Sequence, residues 1–272
     1  MTARPPARPD WTFPLRPPVL IAHRGGAALF PENTLEAFQA AAERYGCRFM
    51  ELDVHATRDG IPVVIHDATV ERTTDGAGAV RGLTLADLQR LDAAHRFRDP
   101  QGARWPAPCR VPTLEAVLAA LPECLFSIDV KQAAPPCEAA VAAVIRRCGM
   151  ERRVLLGAES GRAFRRIRRV APDLPSFFTR GAVLRFLLWR ALRLPPGYRP
   201  PHHTLQIPER AGPLPLVTPG LLADAHRLGL PVLVWTVNEE EDMLRLLRLG
   251  VDGLMTDRPD RFVQAVARLG TR

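Results

Sequence analysis

Short apolar segments alternate with amphipathic helical patterns from Val19 onward, and this alternation constrains the fold more than any other feature of the sequence. Strands that alternate with helices in this way form parallel sheets through right-handed crossovers. The length of 272 residues suits one (β/α)8 barrel, which typically has about 250 residues. We therefore predict an α/β fold of the TIM (β/α)8 barrel type. Strands are predicted over residues 19–24, 49–54, 61–66, 125–130, 153–158, 174–179, 203–207, 231–236 and 252–256.

The predicted organisation is a single barrel domain over residues 18–272, preceded by an irregular arm over residues 1–17. The arm contains five prolines, which disfavour both helices and central strands. Asp59-Gly60 is a turn signal that predicts a hairpin between the second strand and residues 61–66. Residues from about 68 to 110 are rich in Thr, Gly and Pro and interrupt the alternation. We expect them to form a small insertion after the second barrel strand.

The chain is basic, with a net charge of +8, but its basic residues are almost all arginine. Because only Lys131 among 37 basic residues is a lysine, we interpret the charge first as a compositional bias and second as a selected basic surface. The arginines are not interleaved with aromatic residues as in single-strand binders, so no nucleic-acid partner is expected. The single lysine indicates a position where a compact ammonium differs chemically from a guanidinium.

Cysteine usage and the distribution of apolar residues favour a cytoplasmic protein. The five cysteines are odd in number and lack CxxC spacing, which is typical of free thiols in a reducing compartment. The first residues lack the apolar core of a signal peptide, and no stretch approaches the roughly 20 apolar residues of a membrane span. We expect a cytoplasmic location and leave peripheral contact with a membrane open.

Polar residues end several of the predicted strands, which is where barrel enzymes carry their functional groups. Glu51 and Asp53 alternate with apolar residues, so both carboxylates project from one face of a strand. Asp129 ends another apolar strand and adds a third carboxylate. Like charges this close together are costly unless positive charge lies between them. Two alternatives meet this requirement: an oxygen-ligand site for Mg²⁺ or Ca²⁺, or a metal-free salt-bridge network with Arg24 and Lys131.

Two histidines, His23 and His66, also end apolar strands. The ordinary pKa of histidine lies near neutrality, so a pair beside a carboxylate cluster predicts a general acid and a general base. Arg24 and Lys131 suit the binding of phosphate oxygens. Trp235 ends a later strand, and its pattern fits either an aromatic wall for a choline or glycerol group or ordinary core packing.

A set of short motifs follows one another in a defined order along the chain. The motifs are His23-Arg24-Gly25, Pro31-Glu32-Asn33-Thr34, Glu51-Leu52-Asp53-Val54, Thr57-Arg58-Asp59-Gly60, His66-Asp67, Arg72-Thr73-Thr74, Asp129-Val130-Lys131, Trp235-Thr236-Val237-Asn238 and Gly253-Leu254-Met255-Thr256-Asp257-Arg258-Pro259. Each motif alone is weak evidence, whereas the ordered set is specific. It resembles the glycerophosphodiester phosphodiesterase family from about residue 20 to residue 260, which is nearly the whole chain.

The resemblance implies a TIM barrel with a small insertion and a reaction that hydrolyses a glycerophosphodiester to glycerol 3-phosphate and an alcohol. It also implies one divalent cation, Mg²⁺ or Ca²⁺, and a small-molecule substrate. The family usually has Glu at the position of Asp129. The residues that the resemblance assigns are the acid–base pair His23 and His66, the metal ligands Glu51, Asp53 and Asp129, and the phosphate-binding Arg24 and Lys131.

Other motif residues are expected to support the site. We predict that Asp67 and Asp257 anchor the two histidine loops through hydrogen bonds. We interpret Pro31-Glu32-Asn33-Thr34 mainly as a proline-led entry into the first helix with an Asn/Thr cap.

Residues 184–194 allow a second interpretation of the substrate. Their pattern places Arg185, Arg190 and Arg193 on one helical face with leucines opposite, which is typical of an outer barrel helix or of a helix on an anionic membrane. In the second case the enzyme would be lysophospholipase D-like and act on lysophospholipids. A phosphatidylinositol phospholipase C-like reaction and a catalytically idle barrel are further alternatives. No sequence feature predicts the oligomeric state.

Overall fold

A curved parallel sheet forms the centre of the protein in the computed structural model, which describes residues 11–192 and 198–270. The strands are β1 (Val19–His23), β2 (Phe49–Ala56), β3 (Pro62–Val64), β4 (Leu125–Val130), β5 (Val154–Gly157), β6 (Leu205–Pro208), β7 (Arg210–Ala211), β8 (Leu214–Pro215), β9 (Val232–Trp235) and β10 (Gly253–Thr256). Parallel strands follow the order β5-β4-β2-β1-β10-β9-β6, while β3 pairs with β2 and β7 pairs with β8 in antiparallel hairpins. The predicted hairpin after Asp59-Gly60 is thereby confirmed.

Helices follow the barrel strands and cover the outside of the sheet. They are α1 (Leu35–Tyr45), α2 (Leu85–Leu88), α3 (Leu114–Ala120), α4 (Glu138–Arg147), α5 (Gly161–Val170), α6 (Arg180–Ala191), α7 (Pro219–Arg227), α8 (Glu240–Leu249) and α9 (Pro259–Gly270). A hydroxyl group caps the first turn of most of them by accepting a backbone hydrogen bond, as Thr34 does for α1 and Thr179 for α6. These caps mark the residues at which the capped helices begin.

The gap between the two edge strands, β5 and β6, is closed by residues 175–178. A carbonyl of this segment accepts from the amide of Leu156 in β5 at 2.8 Å, and one of its amides donates to the Thr204 carbonyl beside β6 at 3.0 Å. The strand predicted over residues 174–179 is therefore only a short bridge, because a single residue pair meets the parallel pairing pattern. The curled sheet and this segment complete a TIM barrel, which confirms the predicted fold class.

The barrel interior is apolar at the N-terminal ends of the strands. Trp11 and Phe13 cover this end, and the indole of Trp11 donates to the Arg152 carbonyl at 2.8 Å. Part of the predicted arm is thus packed against the barrel, whereas residues 1–10 lie outside the described residues. The inward-facing side chains that pack there are Val19, Ile21, Phe49, Leu125, Leu155, Leu233 and Met255.

Alternation along the strands converts this apolar layer into a polar one at the other end. Side chains two and four positions further along a strand share a face with the first. In β2 the inward face thus runs from Phe49 through Glu51 and Asp53 to His55. The outward faces of the same strands pack under the helices in one large apolar cluster, so the strands are buried on both sides.

The insertion predicted after the second barrel strand has its own small core. Between β3 and α3 the chain forms a 3₁₀ turn at Val80–Gly82 and the short α2. Val63, Val70, Val80 and Leu88 belong to the cluster that holds this segment together. Because the insertion follows the carboxyl end of β2, it lies at the polar end of the barrel.

Helix length and the state of the cysteines were both predicted from the sequence. Within residues 11–192 and 198–270, no helix has both the length and the apolar character needed to cross a bilayer. All five cysteines are free thiols, and four of them are buried.

The closure of the barrel leads to a stability prediction at Gly157. A Cβ atom at this position would lie 2.1 Å from Cζ of Phe177, whose ring covers the end of β5. We expect Gly157→Ala to lower the free energy of unfolding by about 1–3 kcal/mol, measured by urea denaturation, because the overpacked methyl group displaces the ring. In a Phe177→Ala background, Gly157→Ala should cause little further loss of the free energy of unfolding, because the ring that meets the methyl group is absent. Gly161→Ala is the control, because Arg165 is its only neighbour, at 3.8 Å; equal losses for Gly157→Ala and Gly161→Ala would contradict the prediction.

Candidate active site

Parallel pairing aligns the polar ends of β1, β2 and β4. His23 in β1 is paired with Glu51 in β2, and Asp53 in β2 is paired with Asp129 in β4. The three carboxylates and one histidine predicted from strand ends therefore meet at the same edge of the barrel. This is the end at which TIM barrels carry their functional groups.

Asp53 lies at the centre of the cluster and is buried. Its carboxylate oxygens are 3.2 Å from Lys131 Nζ and 3.2 Å from Arg24 Nε, and the Asn33 amide donates to Oδ2 at 3.1 Å. Burial raises the pKa of Asp53, but the charges of Lys131 and Arg24 outweigh it and hold the pKa below its ordinary value. The side chain is therefore an anion with three separate partners.

Lys131 joins this carboxylate to the next one. Its Nζ lies 2.7 Å from Asp129 Oδ2, while the other oxygen of Asp129 accepts from the Glu159 amide at 3.2 Å. Burial opposes the ammonium form, yet Asp129 and Asp53 together raise the pKa of Lys131. Burial raises the pKa of Asp129 against the opposing charge of Lys131. The single lysine of the chain thus lies where two carboxylates need one compact cation.

Glu51 is the least compensated of the three carboxylates. Its Oε2 accepts from the backbone amide of Arg24 at 3.1 Å and lies 3.8 Å from Nε2 of His23. Its other oxygen receives no hydrogen bond from any residue in the described part of the chain. Burial and then the charge of Asp53 raise the pKa of Glu51 to about 8. Glu51 is therefore the position at which additional positive charge would be most stabilising.

The donor set suits a hard divalent cation, because all three candidate ligands offer carboxylate oxygens and Glu51 has an oxygen without a donor. Across residues 11–192 and 198–270, however, no three His, Cys, Asp or Glu side chains are spaced as metal ligands. The contacts of Arg24 and Lys131 instead form the salt-bridge network that the sequence left as an alternative. The residues fit a cation by their chemistry, while the observed geometry is that of the network.

His23 is oriented by a carboxylate that directly follows the neighbouring strand, β10. Its Nδ1 donates to Asp257 at 2.7 Å, and Asp257 accepts in turn from the amide of Asn238 at 2.8 Å. Burial lowers the pKa of His23, but the hydrogen bond to Asp257 and the charge of Glu51 raise it above its ordinary value. Because Nδ1 is occupied, Nε2 is the nitrogen that faces the carboxylate cluster.

His66 has a matching arrangement. Its Nδ1 donates to Asp67 at 2.6 Å, and Asp67 accepts from Arg72 Nε at 2.5 Å. Burial raises the pKa of Asp67, but hydrogen bonds from Arg72 and His66 hold it at about 2. The prediction that Asp67 and Asp257 anchor the histidines is confirmed, since each binds the Nδ1 of one ring.

A further histidine, His55, lies on the same inward face of β2 and is buried. Its Nε2 donates to the backbone carbonyl of His66 at 3.1 Å, and burial lowers its pKa. A neutral imidazole in this position fixes the backbone that carries His66. The alternation of β2 provided the signal for its placement.

The loop between β1 and α1 contributes more than the helix entry predicted from its sequence. Thr34 is the cap of α1, but Asn33 is directed at Asp53 and has a φ of 58°. Glu32 accepts two hydrogen bonds from Arg72, both at 2.7 Å, and one from Arg24 at 3.1 Å. The interpretation of Asn33 as a cap was therefore wrong, because its side chain is needed by a buried charge.

Glycine is required at the first turn of this loop. Gly25 has a φ of +86°, and a Cβ atom there would lie 2.8 Å from the Cβ of Ala37 in α1. The close approach brings α1 against the end of β1 and places the Arg24 amide next to Glu51.

Trp235 lies on the same edge, at the end of β9, where it is paired with Pro208. Its side chain is 42% exposed, so it is not part of the core. Among the described residues it has no hydrogen bond or ring contact with the carboxylate cluster. The structure therefore leaves its indole available at the rim.

Comparison with known proteins identifies the family of the chain. The model of the glycerophosphoryl diester phosphodiesterase family matches residues 23–261, from the first candidate histidine to beyond its aspartate partner. The probable glycerophosphodiester phosphodiesterase 2 of Mycobacterium tuberculosis is 37% identical over 254 residues, which cover 89% of this chain and 88% of that protein. The glycerophosphodiester phosphodiesterase of Caldanaerobacter subterraneus is 33% identical and covers 93% of this chain and 99% of its own length.

A solved structure extends the likeness to three dimensions. The Oleispira antarctica phosphodiesterase in complex with the product sn-glycerol-3-phosphate superposes with a TM-score of 0.75 at 25% identity. The alignment covers 92% of this chain and 97% of that one. With the ordered motifs and the barrel, these matches show that the chain is an enzyme that belongs to the glycerophosphoryl diester phosphodiesterase family.

Proposed function

We propose that the enzyme hydrolyses glycerophosphodiesters to glycerol 3-phosphate and an alcohol, by acid–base catalysis with two histidines and with one divalent cation. The family and the named relatives support this class of substrate. The Oleispira antarctica phosphodiesterase was solved with sn-glycerol-3-phosphate as its product, which supports glycerol 3-phosphate as the product here as well.

The observation that carries the proposal is the paired orientation of His23 and His66. In each imidazole Nδ1 donates to an aspartate, so the proton on that nitrogen is held and Nε2 is left for proton transfer. Both rings lie at the end of the barrel that carries Lys131 and the carboxylates. Two oriented histidines beside phosphate-binding cations are the groups that phosphodiester cleavage requires.

Hydrolysis needs two proton transfers, one from the attacking oxygen and one to the leaving oxygen. One histidine accepts a proton from the attacking oxygen as that oxygen forms a bond to phosphorus. The attacking group is either a water or a hydroxyl of the substrate, and in the second case a water then opens the cyclic phosphodiester to give glycerol 3-phosphate. The other histidine donates a proton to the departing alkoxide as the second phosphorus–oxygen bond breaks, and the alcohol leaves neutral. Either assignment of His23 and His66 balances the reaction, because both have the same Nδ1 anchor.

Positive side chains of the same cluster would bind the phosphate. Lys131 and Arg24 already contact carboxylates. A bound phosphate oxygen would be a further acceptor for the same two cations, so its negative charge would be paired. Trp235 at the rim offers an apolar or cation-binding surface to the alcohol group of the substrate.

Glu51, Asp53 and Asp129 are the residues that would hold the cation, either Mg²⁺ or Ca²⁺. When bound, such a cation neutralises phosphate charge and orients the reacting oxygens as a Lewis acid. The raised pKa of Glu51, caused by burial and by Asp53, supports this assignment because a nearby cation would favour the ionised form.

Two finer expectations accompany this function. A cytoplasmic location is supported by the five free thiols, which are typical of a reducing compartment. The lysophospholipase D-like alternative is not favoured, because the matched family and the two relatives above are named for glycerophosphodiesters.

Loss of either histidine is the direct test of acid–base catalysis. We expect His23→Ala and His66→Ala each to lower kcat for glycerophosphocholine by about 100-fold or more, measured as release of glycerol 3-phosphate. His226→Ala is the control, since His226 pairs with Asp252 at the opposite end of the barrel. Near-normal kcat in either active-site variant, with the fold intact by circular dichroism, would refute its assignment.

Metal dependence can be measured without relying on activity alone. We expect EDTA to abolish turnover and added Mg²⁺ or Ca²⁺ to restore it. A saturating cation should also raise Tm by about 5 °C or more, because it binds only the folded protein. Glu51→Gln should lose most of this shift. Full activity in EDTA together with an unchanged Tm would refute the cation site. The carboxylates would then serve only in the salt-bridge network with Arg24 and Lys131.

The substrate class is tested by comparing two molecules with the same head group. Glycerophosphocholine should be hydrolysed with a higher kcat/KM than lysophosphatidylcholine, because the matched family and the named relatives are glycerophosphodiester phosphodiesterases. Release of choline from both substrates is the measurement. A clear preference for lysophosphatidylcholine would reverse the ranking of the two functions.

A further inference from the structure

Three leucines form an exposed apolar ridge along the outer face of α6. Leu184, Leu188 and Leu192 are spaced four residues apart, so they lie above one another on one side of the helix. Their side chains are 60%, 56% and 59% exposed. Large apolar side chains are usually exposed singly, so a continuous line of three marks a contact surface.

The orientation of α6 differs from the one predicted from its sequence. Ala182 and Phe186 face the core, and Arg190 is turned toward α7, where its Nε lies 2.6 Å from Asp224. Arg185 lies on the same outward half of the helix as the leucines rather than opposite them, because it precedes Leu188 by three residues and is exposed. The prediction that Arg185 and Arg190 share one face opposite the leucines was therefore wrong. Arg193, the third arginine of that prediction, lies outside the described residues.

Helix α5 lies beside α6 and extends the surface. The ring of His202 contacts Phe164 of α5 at 5.0 Å and Phe178 at 5.2 Å, and Phe178 contacts Phe186 of α6 at 6.1 Å. This chain of aromatic contacts joins the inner faces of the two helices. Both helices therefore lie on the same part of the barrel exterior, and we call their outward surface the α5–α6 face and define it by residues 161–192.

The α5–α6 face carries most of the net charge of the protein. Residues 161–192 contain eight arginines and a single acidic residue, Asp173, in a chain whose net charge is +8. Asp173 is already paired with Arg146 of α4. Within residues 11–192 and 198–270, no acidic partner lies within ion-pair distance of six of these arginines. Five of the six are exposed, namely Arg162, Arg165, Arg169, Arg180 and Arg185.

We propose that the α5–α6 face binds the surface of an anionic lipid bilayer. The leucine ridge would enter the boundary between head groups and acyl chains, while the surrounding arginines contact lipid phosphates. Charge complementarity selects this occupant, because a surface with five exposed arginines that have no acidic partner among the described residues favours a densely anionic partner. The inference goes beyond the proposed hydrolysis and does not depend on it.

A second copy of the chain is a poorer occupant of the same surface. In a two-fold dimer the same patch faces itself, so the arginines beside each ridge would oppose those of the partner. Like charges brought together in a partly desolvated interface are unfavourable. The leucines alone would therefore have to offset the repulsion of both α5–α6 faces.

Vesicle cosedimentation with the full chain tests the proposal. The protein should bind vesicles of phosphatidylglycerol and phosphatidylcholine in equal amounts, and should not bind vesicles of phosphatidylcholine alone. Binding should weaken strongly when the ionic strength is raised to about 0.5 M, because salt screens the arginine contacts. Failure to bind the anionic vesicles at low salt would overturn the proposal.

Matched variants separate the apolar and the charged contributions. Leu188→Gln should lower vesicle partitioning about tenfold, because it removes one buried leucine. The control is Leu214→Gln, since Leu214 is 67% exposed on the β7–β8 hairpin. Vesicle partitioning should fall by roughly fivefold for each arginine that is replaced in the triple variant Arg162→Gln/Arg165→Gln/Arg169→Gln. Its control is Arg58→Gln/Arg96→Gln/Arg104→Gln, which removes the same charge from exposed positions elsewhere.

Activity and oligomeric state complete the experiment. Hydrolysis of soluble glycerophosphocholine should be unchanged in Leu188→Gln, so a failed membrane result and a failed catalytic result remain distinct. Equal partitioning of Leu188→Gln and Leu214→Gln would overturn the role of the ridge. Sedimentation equilibrium that shows a dimer of the unaltered protein, dissociated by Leu188→Gln, would assign the face to self-association instead.

Discussion

The ionised carboxylate of Asp53 is the constraint on which the rest of the site depends. A buried carboxylate without partners costs several kcal/mol, so the fold has to bring positive charge and hydrogen-bond donors to it. Lys131 directly follows β4, Arg24 directly follows β1 and Asn33 lies in the loop before α1. One charge therefore holds three segments in register, and each segment brings another functional group with it.

Buried or partly buried aspartates also orient the two histidines. Asp257 and Asp67 bind the Nδ1 of His23 and of His66, and each aspartate is in turn held by a further donor, Asn238 or Arg72. Arg72 belongs to the insertion and also binds the loop before α1 through a bidentate contact. The insertion is thus linked to the barrel by Arg72, which also holds the aspartate that orients His66. The packing of the insertion therefore affects the position of this histidine.

Charge is arranged in opposite ways in the two regions that matter most. In the site each cation lies between carboxylates, so burial is compensated locally and net charge is small. On the α5–α6 face five arginines are exposed and have no acidic partner among the described residues, which is tolerated because water solvates them. The excess of +8 is consequently concentrated rather than spread, and a compositional preference for arginine does not by itself explain that distribution.

The sequence by itself determined the barrel class, the strand ends and the common face of Glu51 and Asp53, because period-two alternation and strand–helix alternation are local properties. Only the tertiary structure decided that Asn33 serves a charge 20 residues away, that His23 is held by a residue 234 positions distant, and that the leucines of α6 face outward. Helical spacing defines which residues share a face, but the packing of neighbouring elements selects the face that is buried. Contacts between distant segments have no signature in local periodicity, since they depend on how the closed barrel brings strand ends together.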